Sequence, residues 1–158
     1  MDVLKRIEKI IKTYTAKNIH IAIAESCTGG YISNMITNVS GASNIFDRGI
    51  VCYSNRAKIE LINVNPKTIE KYGAVSNAVV KQLANNIRVN SNVDIGIGIT
   101  GIAGPTGGTP EKPVGLVFIG FSTEKETIVK KYRFETERIK FKQKVLEKII
   151  QFLENLAL

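Results

Sequence analysis

The stretch Ala24-Glu25-Ser26-Cys27-Thr28-Gly29-Gly30 sets a carboxylate, two hydroxyls and a thiol ahead of a pair of glycines. The β-branched run "NIHIAIA" precedes it, and Ile32, Met35, Ile36 and Val39 recur behind it at helical spacing. Strand, polar corner, glycine pair, helix is the order in which many nucleophile elbows are written. Ser26, Cys27 and Thr28 are the candidate nucleophiles. At a strand end Ser26 and Cys27 point to opposite sides, so only one of them can face a shared cleft. A thiol near a helix N-terminus would have a lowered pKa, which makes Cys27 the rival to Ser26.

What could activate a serine here is restricted by composition. The chain holds one histidine, His20, six residues before Ser26 on the same strand. At about 3.3 Å per residue the two lie roughly 20 Å apart. A Ser-His-Asp triad, a Cys-His pair and histidine-based zinc sites are therefore excluded within one chain, and His20 reads as a structural residue. Lysine, tyrosine or a carboxylate remains as base. The segment "CYSNRAK" places Tyr53 at the end of a second strand and Lys58 about one turn into the next helix. A lysine whose pKa is lowered by burial can deprotonate a serine. Taken alone, Lys58 reads as an ordinary solvated helix lysine. Glu25 reads equally as a polar member of the site or as a helix-end acid.

A second region of interest is the loop "TGIAGPTGGTPEKPVG". It lacks the Gly-Lys-Ser/Thr ending of a Walker A loop, and a strand follows it, which excludes the Rossmann fingerprint. Yet Gly101–Gly108 contains four glycines and a proline, more than a turn requires. Glycines let a ligand approach backbone N–H groups, and phosphates bind such groups.

The elements that must position these residues follow from periodicity. Val3, Leu4, Ile7, Ile10, Ile11 and Tyr14 define an opening amphipathic helix. Ile45–Tyr53 reads as a strand, and a short helix capped by Ser54 or Asn55 follows. "NPKTIEKYG" is a helix with Asn65 as cap, Pro66 at its first position and Gly73 as stop. Ser76 caps a longer helix that buries Val79, Val80, Leu83 and Ile87. "VDIGIGIT" is a third strand whose alternating glycines call for something packed closely against it. "VGLVFIGFS" and "TIVKKYRF" form a hairpin around Glu124-Lys125, and a last helix runs from Thr136. Strands alternating with helices and then a late hairpin predict an α/β fold: a mixed sheet, partly antiparallel, with helices on both faces.

The 158 residues suit one domain over 1–158, with 44% hydrophobic and 23% charged residues. No apolar run is long enough to span a bilayer, no signal peptide is present, and two cysteines fit a reducing cytoplasm. The net charge of +8 suits a small phosphorylated ligand. It suits nucleic acid poorly, since basic residues are scattered among acids and no stacking platform or recognition helix is visible.

In order and spacing, "AESCTGG", "GASNIFDRGIVCYSNRAK", "GAVS" and "GITGIAGPTGGTPEKPVG" resemble the C-terminal domain of the CinA family, whose stand-alone versions are the PncC-type nicotinamide-nucleotide amidohydrolases. The likeness covers nearly the whole chain. It implies a three-layer α/β/α sandwich, no metal or other cofactor, homo-oligomers, and hydrolysis of the carboxamide of nicotinamide mononucleotide to nicotinate mononucleotide and ammonia. The family's catalytic serine, lysine and tyrosine fall on Ser26, Lys58 and Tyr53. Its threonine in "TGxAGP" falls on Thr100, and an arginine opening the last helix on Arg138. On this reading the amides of Thr28, Gly29 and Gly30 form the oxyanion hole. Thr100, Gly101, Ala103 and Gly104 contact the nucleotide, and Arg138, with Lys142, neutralises its phosphate. The tail "FETERIKFK" departs from the family's pattern: Thr136 stands for glycine, Glu137 for aspartate and Lys142 for a second arginine. Rival readings are a pyridine-nucleotide-binding module without catalysis, a competence- or damage-linked role on DNA, and an amidase for another amide.

Overall fold

A computed structural model describes residues 2–156. Five strands, β1 (Ile21–Glu25), β2 (Phe46–Val51), β3 (Ile95–Gly101), β4 (Leu116–Ser122) and β5 (Thr127–Arg133), form one sheet in the order β2-β1-β3-β4-β5. β1 runs parallel to β2 and β3, whereas β3, β4 and β5 are successively antiparallel. Helices α1 (Val3–Lys17), α2 (Tyr31–Thr37) and α6 (Arg138–Asn155) supply one layer, and α3 (Asn55–Ile62), α4 (Pro66–Tyr72) and α5 (Asn77–Ser91) belong to the other. This is the mixed, doubly covered sheet that the sequence predicts.

The two faces of the sheet are built differently, and strand alternation explains how. Ile21, Ile23, Ile95, Ile97, Ile99, Val117, Ile119 and Phe121 all point toward α1, α2 and α6, where they make the larger core. On the opposite face the same strands carry Ala22, Ala24, Gly96, Gly98 and Gly120. These small residues let α5 lie directly on the sheet. A Cβ added at Gly98 would sit 2.7 Å from the Ala84 amide nitrogen, and one at Gly120 would sit 2.9 Å from the Val80 carbonyl oxygen. The alternating glycines of β3 are thus a seat for α5.

Caps fall where the sequence puts them. Ser54, Asn65 and Ser76 each accept from an amide in the first turn of α3, α4 and α5, and Gly73 ends α4. The helix after the elbow is shorter than the apolar spacing suggests, because Val39 lies beyond α2 and a 3-10 turn at Ala42–Asn44 intervenes before β2. β2 is trimmed at both ends relative to Ile45–Tyr53, and α6 starts at Arg138 rather than Thr136. Among the described residues, no helix is long and apolar enough to cross a membrane.

Replacing Gly98 by valine should drive a side chain into the α5 backbone and cost about 3 kcal/mol or more. Urea denaturation should show this as a markedly lower midpoint.

Candidate active site

The three parallel strands end at one edge of the sheet, the position where open α/β sheets hold ligands. Ser26 follows β1, Tyr53 follows β2, and Thr100 lies near the end of β3. A cavity of about 340 Å³ opens there. Ser26, Lys58, Thr100, the Ile102–Gly104 backbone and Arg138 are among the residues that line it. The structure therefore brings together Ser26, Lys58, Tyr53, Thr100, Gly101, Ala103, Gly104 and Arg138. Thr28, Gly29 and Gly30 are not part of the cavity wall. His20 lies at the far end of β1, where its amide donates to Asp94 (2.7 Å).

The elbow is held by Glu25. Its carboxylate is fully buried. One oxygen accepts from Thr28 Oγ1 (2.7 Å), the Gly30 amide (2.9 Å) and the Ile32 amide (3.3 Å). The other accepts from the Ser33 amide (2.7 Å) and the Ser33 hydroxyl (2.8 Å). Glu25 is thus a helix-end acid: it satisfies amides at the start of α2 that have no partner within the helix. Gly29 and Gly30 adopt φ of +59° and +96°, which a side chain would strain, and this gives the turn its need for the glycine pair. The Gly29 amide donates to the Ser26 carbonyl oxygen (3.1 Å). Two of the three amides expected to form an oxyanion hole, those of Gly29 and Gly30, are therefore committed inside the turn.

Ser26 and Cys27 do point to opposite sides. Cys27 belongs to the isoleucine-rich core with Ile23 and Ile32, and burial pushes its thiol up to about 12. Burial likewise holds the Cys52 thiol up, at about 11. Neither sulfur is a thiolate near neutral pH, which removes Cys27 as the rival nucleophile. Ser26 continues the small-residue row Ala22-Ala24 on the α5 side, and its hydroxyl has no hydrogen-bond partner among the described residues.

Lys58 is the unexpected feature. Helix α3 buries it to 2% exposure, with no carboxylate in contact. Its Nζ donates to the carbonyl oxygens of Cys52 and Tyr53, each at 3.1 Å. Desolvation lowers its pKa and outweighs the opposing effect of Cys52 and Cys27. It is not the solvated helix lysine that its local sequence suggests. No hydrogen bond joins it to Ser26 Oγ, so the two share the cavity without touching. Tyr53 is 62% exposed and supports Lys58 through its backbone carbonyl.

The remaining wall is tied to its neighbours. Thr100 Oγ1 donates to the Ala74 carbonyl oxygen (2.9 Å), which fixes the segment between α4 and α5 against β3. Arg138 Nε donates to the Gly104 carbonyl oxygen (2.9 Å) and so links α6 to the glycine-rich loop. From the other side Lys112 Nζ donates to the Tyr72 carbonyl oxygen. Lys142 Nζ lies close to Gly29, on the elbow rather than in the cavity wall. Among the described residues, no group of three His, Cys, Asp or Glu side chains is placed to hold a metal ion.

Comparison with known proteins shows the family and agrees with the fold. The profile described as the CinA C-terminal domain matches residues 4–157. The chain belongs to the CinA C-terminal domain family. A protein of Thermoanaerobacter pseudethanolicus named for competence-damage induction is 48% identical over 139 residues, 88% of this chain and 34% of that relative. A CinA-like protein of Kosmotoga olearia is 42% identical over 151 residues, 96% of this chain and 37% of its own. The chain thus spans about a third of the length of these relatives. The crystal structure of competence/damage inducible protein CihA from Agrobacterium tumefaciens superposes with a TM-score of 0.93 at 32% identity, covering 98% of this chain and 94% of that one. The competence damage-inducible protein A (ComA) from Klebsiella pneumoniae gives 0.94 at 26% identity, with 99% and 98% covered. Within this CinA domain the site residues missed by sequence reasoning are backbone groups, such as the Cys52 carbonyl under Lys58, and small wall residues such as Ala74.

Two outcomes follow. Iodoacetamide at pH 8 should label neither cysteine in the folded protein and both in urea, as read by mass spectrometry. Because the folded pKa of Lys58 is lowered, the unfolded chain binds more protons than the folded one between that pKa and about 10.4. Wild-type stability should therefore rise relative to Lys58→Met as pH climbs through this window, in parallel denaturation curves.

Proposed function

We propose that this chain hydrolyses the carboxamide of nicotinamide mononucleotide, releasing ammonia and nicotinate mononucleotide, with Ser26 as nucleophile and Lys58 as base. The observation that carries the reading is Lys58: a buried amine without a counter-charge, in the same cavity as an unbonded serine hydroxyl. A neutral amine has two N–H bonds and one lone pair. Here the Cys52 and Tyr53 carbonyl oxygens offer acceptors for both N–H bonds, which leaves the lone pair to take a proton. The missing hydrogen bond to Ser26 must form by a Ser26 rotamer change or through one water, a tightening common when substrate arrives.

The rest of the cavity suits an anionic nucleotide. Among the described residues the terminal guanidinium nitrogens of Arg138 have no partner while Nε holds Gly104, and an arginine fork matches phosphate geometry. Beyond Ile102, whose own amide donates to Leu116, the loop backbone of Ala103, Gly104, Thr106 and Gly107 lies along the wall. The likeness of "ESCTGG" and "YSNRAK" to the amidohydrolase branch of the family supplies the substrate. On this reading Tyr53, an exposed residue of the cavity wall, orients the base through its carbonyl and meets the ligand with its ring; its carbonyl oxygen accepting from Lys58 Nζ supports the first role.

Ammonia release from a panel of pyridine amides (mononucleotide, riboside, dinucleotide, free nicotinamide) tests the reading. Wild type should favour the mononucleotide, Ser26→Ala should lose essentially all activity, and Lys58→Met should lose about a thousandfold or more, the scale of a general base and its nucleophile acting as a unit. Wild-type release by Ser26→Ala would overturn it. Binding of the mononucleotide without release by wild type would identify a binding module instead.

A further inference from the structure

Resting on that hydrolase reading, we propose that the oxyanion hole of this site is formed by the backbone amide of Cys27, facing an amide of the Ala103–Gly104 segment across the cavity. The argument is an accounting of amides, since buried backbone N–H groups are nearly always paired. Along the elbow, the Ser26 amide donates to Ile99, that of Gly29 to Ser26 and that of Tyr31 to Thr28. Glu25 takes those of Gly30, Ile32 and Ser33. Among the described residues, only the amides of Cys27 and Thr28 along this elbow have no partner in another residue. Of these two residues, only Cys27 lines the cavity.

The same accounting applied to the rest of the wall gives the second donor. Among its buried residues, Lys58 donates its amide to Ser54 and Thr100 lies inside the β3 ladder. Ala103 and Gly104 are buried and line the cavity, and among the described residues their amides have no partner. Arg138, itself in the cavity wall, holds the Gly104 carbonyl, which fixes that segment. The amide that follows a nucleophile, joined by one from a separate loop, is a recurring oxyanion arrangement.

The step balances as follows. Ser26 Oγ forms a bond to the carboxamide carbon while its proton passes to Lys58, and the carbonyl π pair moves onto oxygen, where the two amides donate to it. On collapse the C–N bond breaks and the nitrogen leaves as ammonia with the proton from Lys58. Water then cleaves the Ser26 ester by the reverse set of transfers.

An amide-to-ester exchange tests this. Cys27→Ala protein serves as the reference, and lactic acid in place of that alanine removes only the N–H. The ester should lower kcat about a hundredfold or more, the scale of losing one oxyanion donor, with KM within about twofold. The same exchange at Asn34, whose amide donates to Gly30 inside α2, should leave kcat unchanged. In a crystal structure with pyridine-3-boronic acid, boron should bond Ser26 Oγ and one boronate oxygen should accept from the Cys27 amide. An ester protein as fast as its reference, or a boronate oxygen aimed at Gly29 or Gly30, would overturn the assignment while Ser26-dependent release left the hydrolase reading intact. A wild-type chain that releases no ammonia from any pyridine amide would remove the hydrolase reading itself.

Discussion

The Glu25 carboxylate is the group on which the candidate site depends. It lies at zero exposure, and burying so polar a group is costly unless it is hydrogen-bonded throughout. Here the compensation comes from three amides and two hydroxyls, all within the eight residues that follow it. Those bonds define where β1 stops, how the chain reverses through two positive-φ glycines, and where α2 begins. They also decide which backbone groups remain available beside Ser26. The Glu25 carbonyl is fixed in turn by the Cys52 amide (2.8 Å), so the ends of β1 and β2 are locked together beneath the cavity.

Lys58 is the counterpart of opposite sign, with the opposite solution. Its ammonium would face two carbonyl oxygens and no carboxylate, so the cheaper response to burial is loss of the proton. Glu25 and Lys58 both lie at the carboxyl ends of the parallel strands, yet neither bonds the other. Strand alternation separates them. Glu25 shares its face with Ile21 and Ile23 and meets α2, while Ser26 shares its face with Ala22 and Ala24 and opens toward α3 and α5. A carboxylate saturated with hydrogen bonds and an amine pressed toward neutrality are thus held on opposite sides of one strand end.

The asymmetry of the sheet makes room for this. Isoleucines fill the α1-α2-α6 side, where volume and packing density set stability. Alanines and glycines on the other side bring α5 down to the sheet backbone. The small row ends in Ser26 and Thr100, so the residues that admit α5 and those that face the cavity are continuous along β1 and β3. Close approach there also brings the α4–α5 connection, with the Ala74 carbonyl, within reach of Thr100 (2.9 Å).

Much of this was legible in the chain. The caps at Asn65, Ser76 and Gly73, the strand glycines as a packing seat, the alternation of Ser26 against Cys27 and the exclusion of histidine catalysis all rest on local chemistry or on counting. Element ends were less legible: Val39 and Thr136 continue an apolar or polar pattern past the point where backbone hydrogen bonding stops. Lys58 reads from its neighbours as a solvated residue, because nothing in "SNRAK" encodes what α3 packs against. Gly29 and Gly30 read as oxyanion donors because their flexibility is visible in sequence, while the carboxylate that engages the Gly30 amide is visible only in space. By itself the sequence determined the fold class, the position of the candidate nucleophile and the candidate residues for chemistry, since these depend on residue type and period. Tertiary structure alone decided which amides are free, which thiols are inert and which lysine is buried, because hydrogen-bond partners and solvent access arise between elements far apart in the chain.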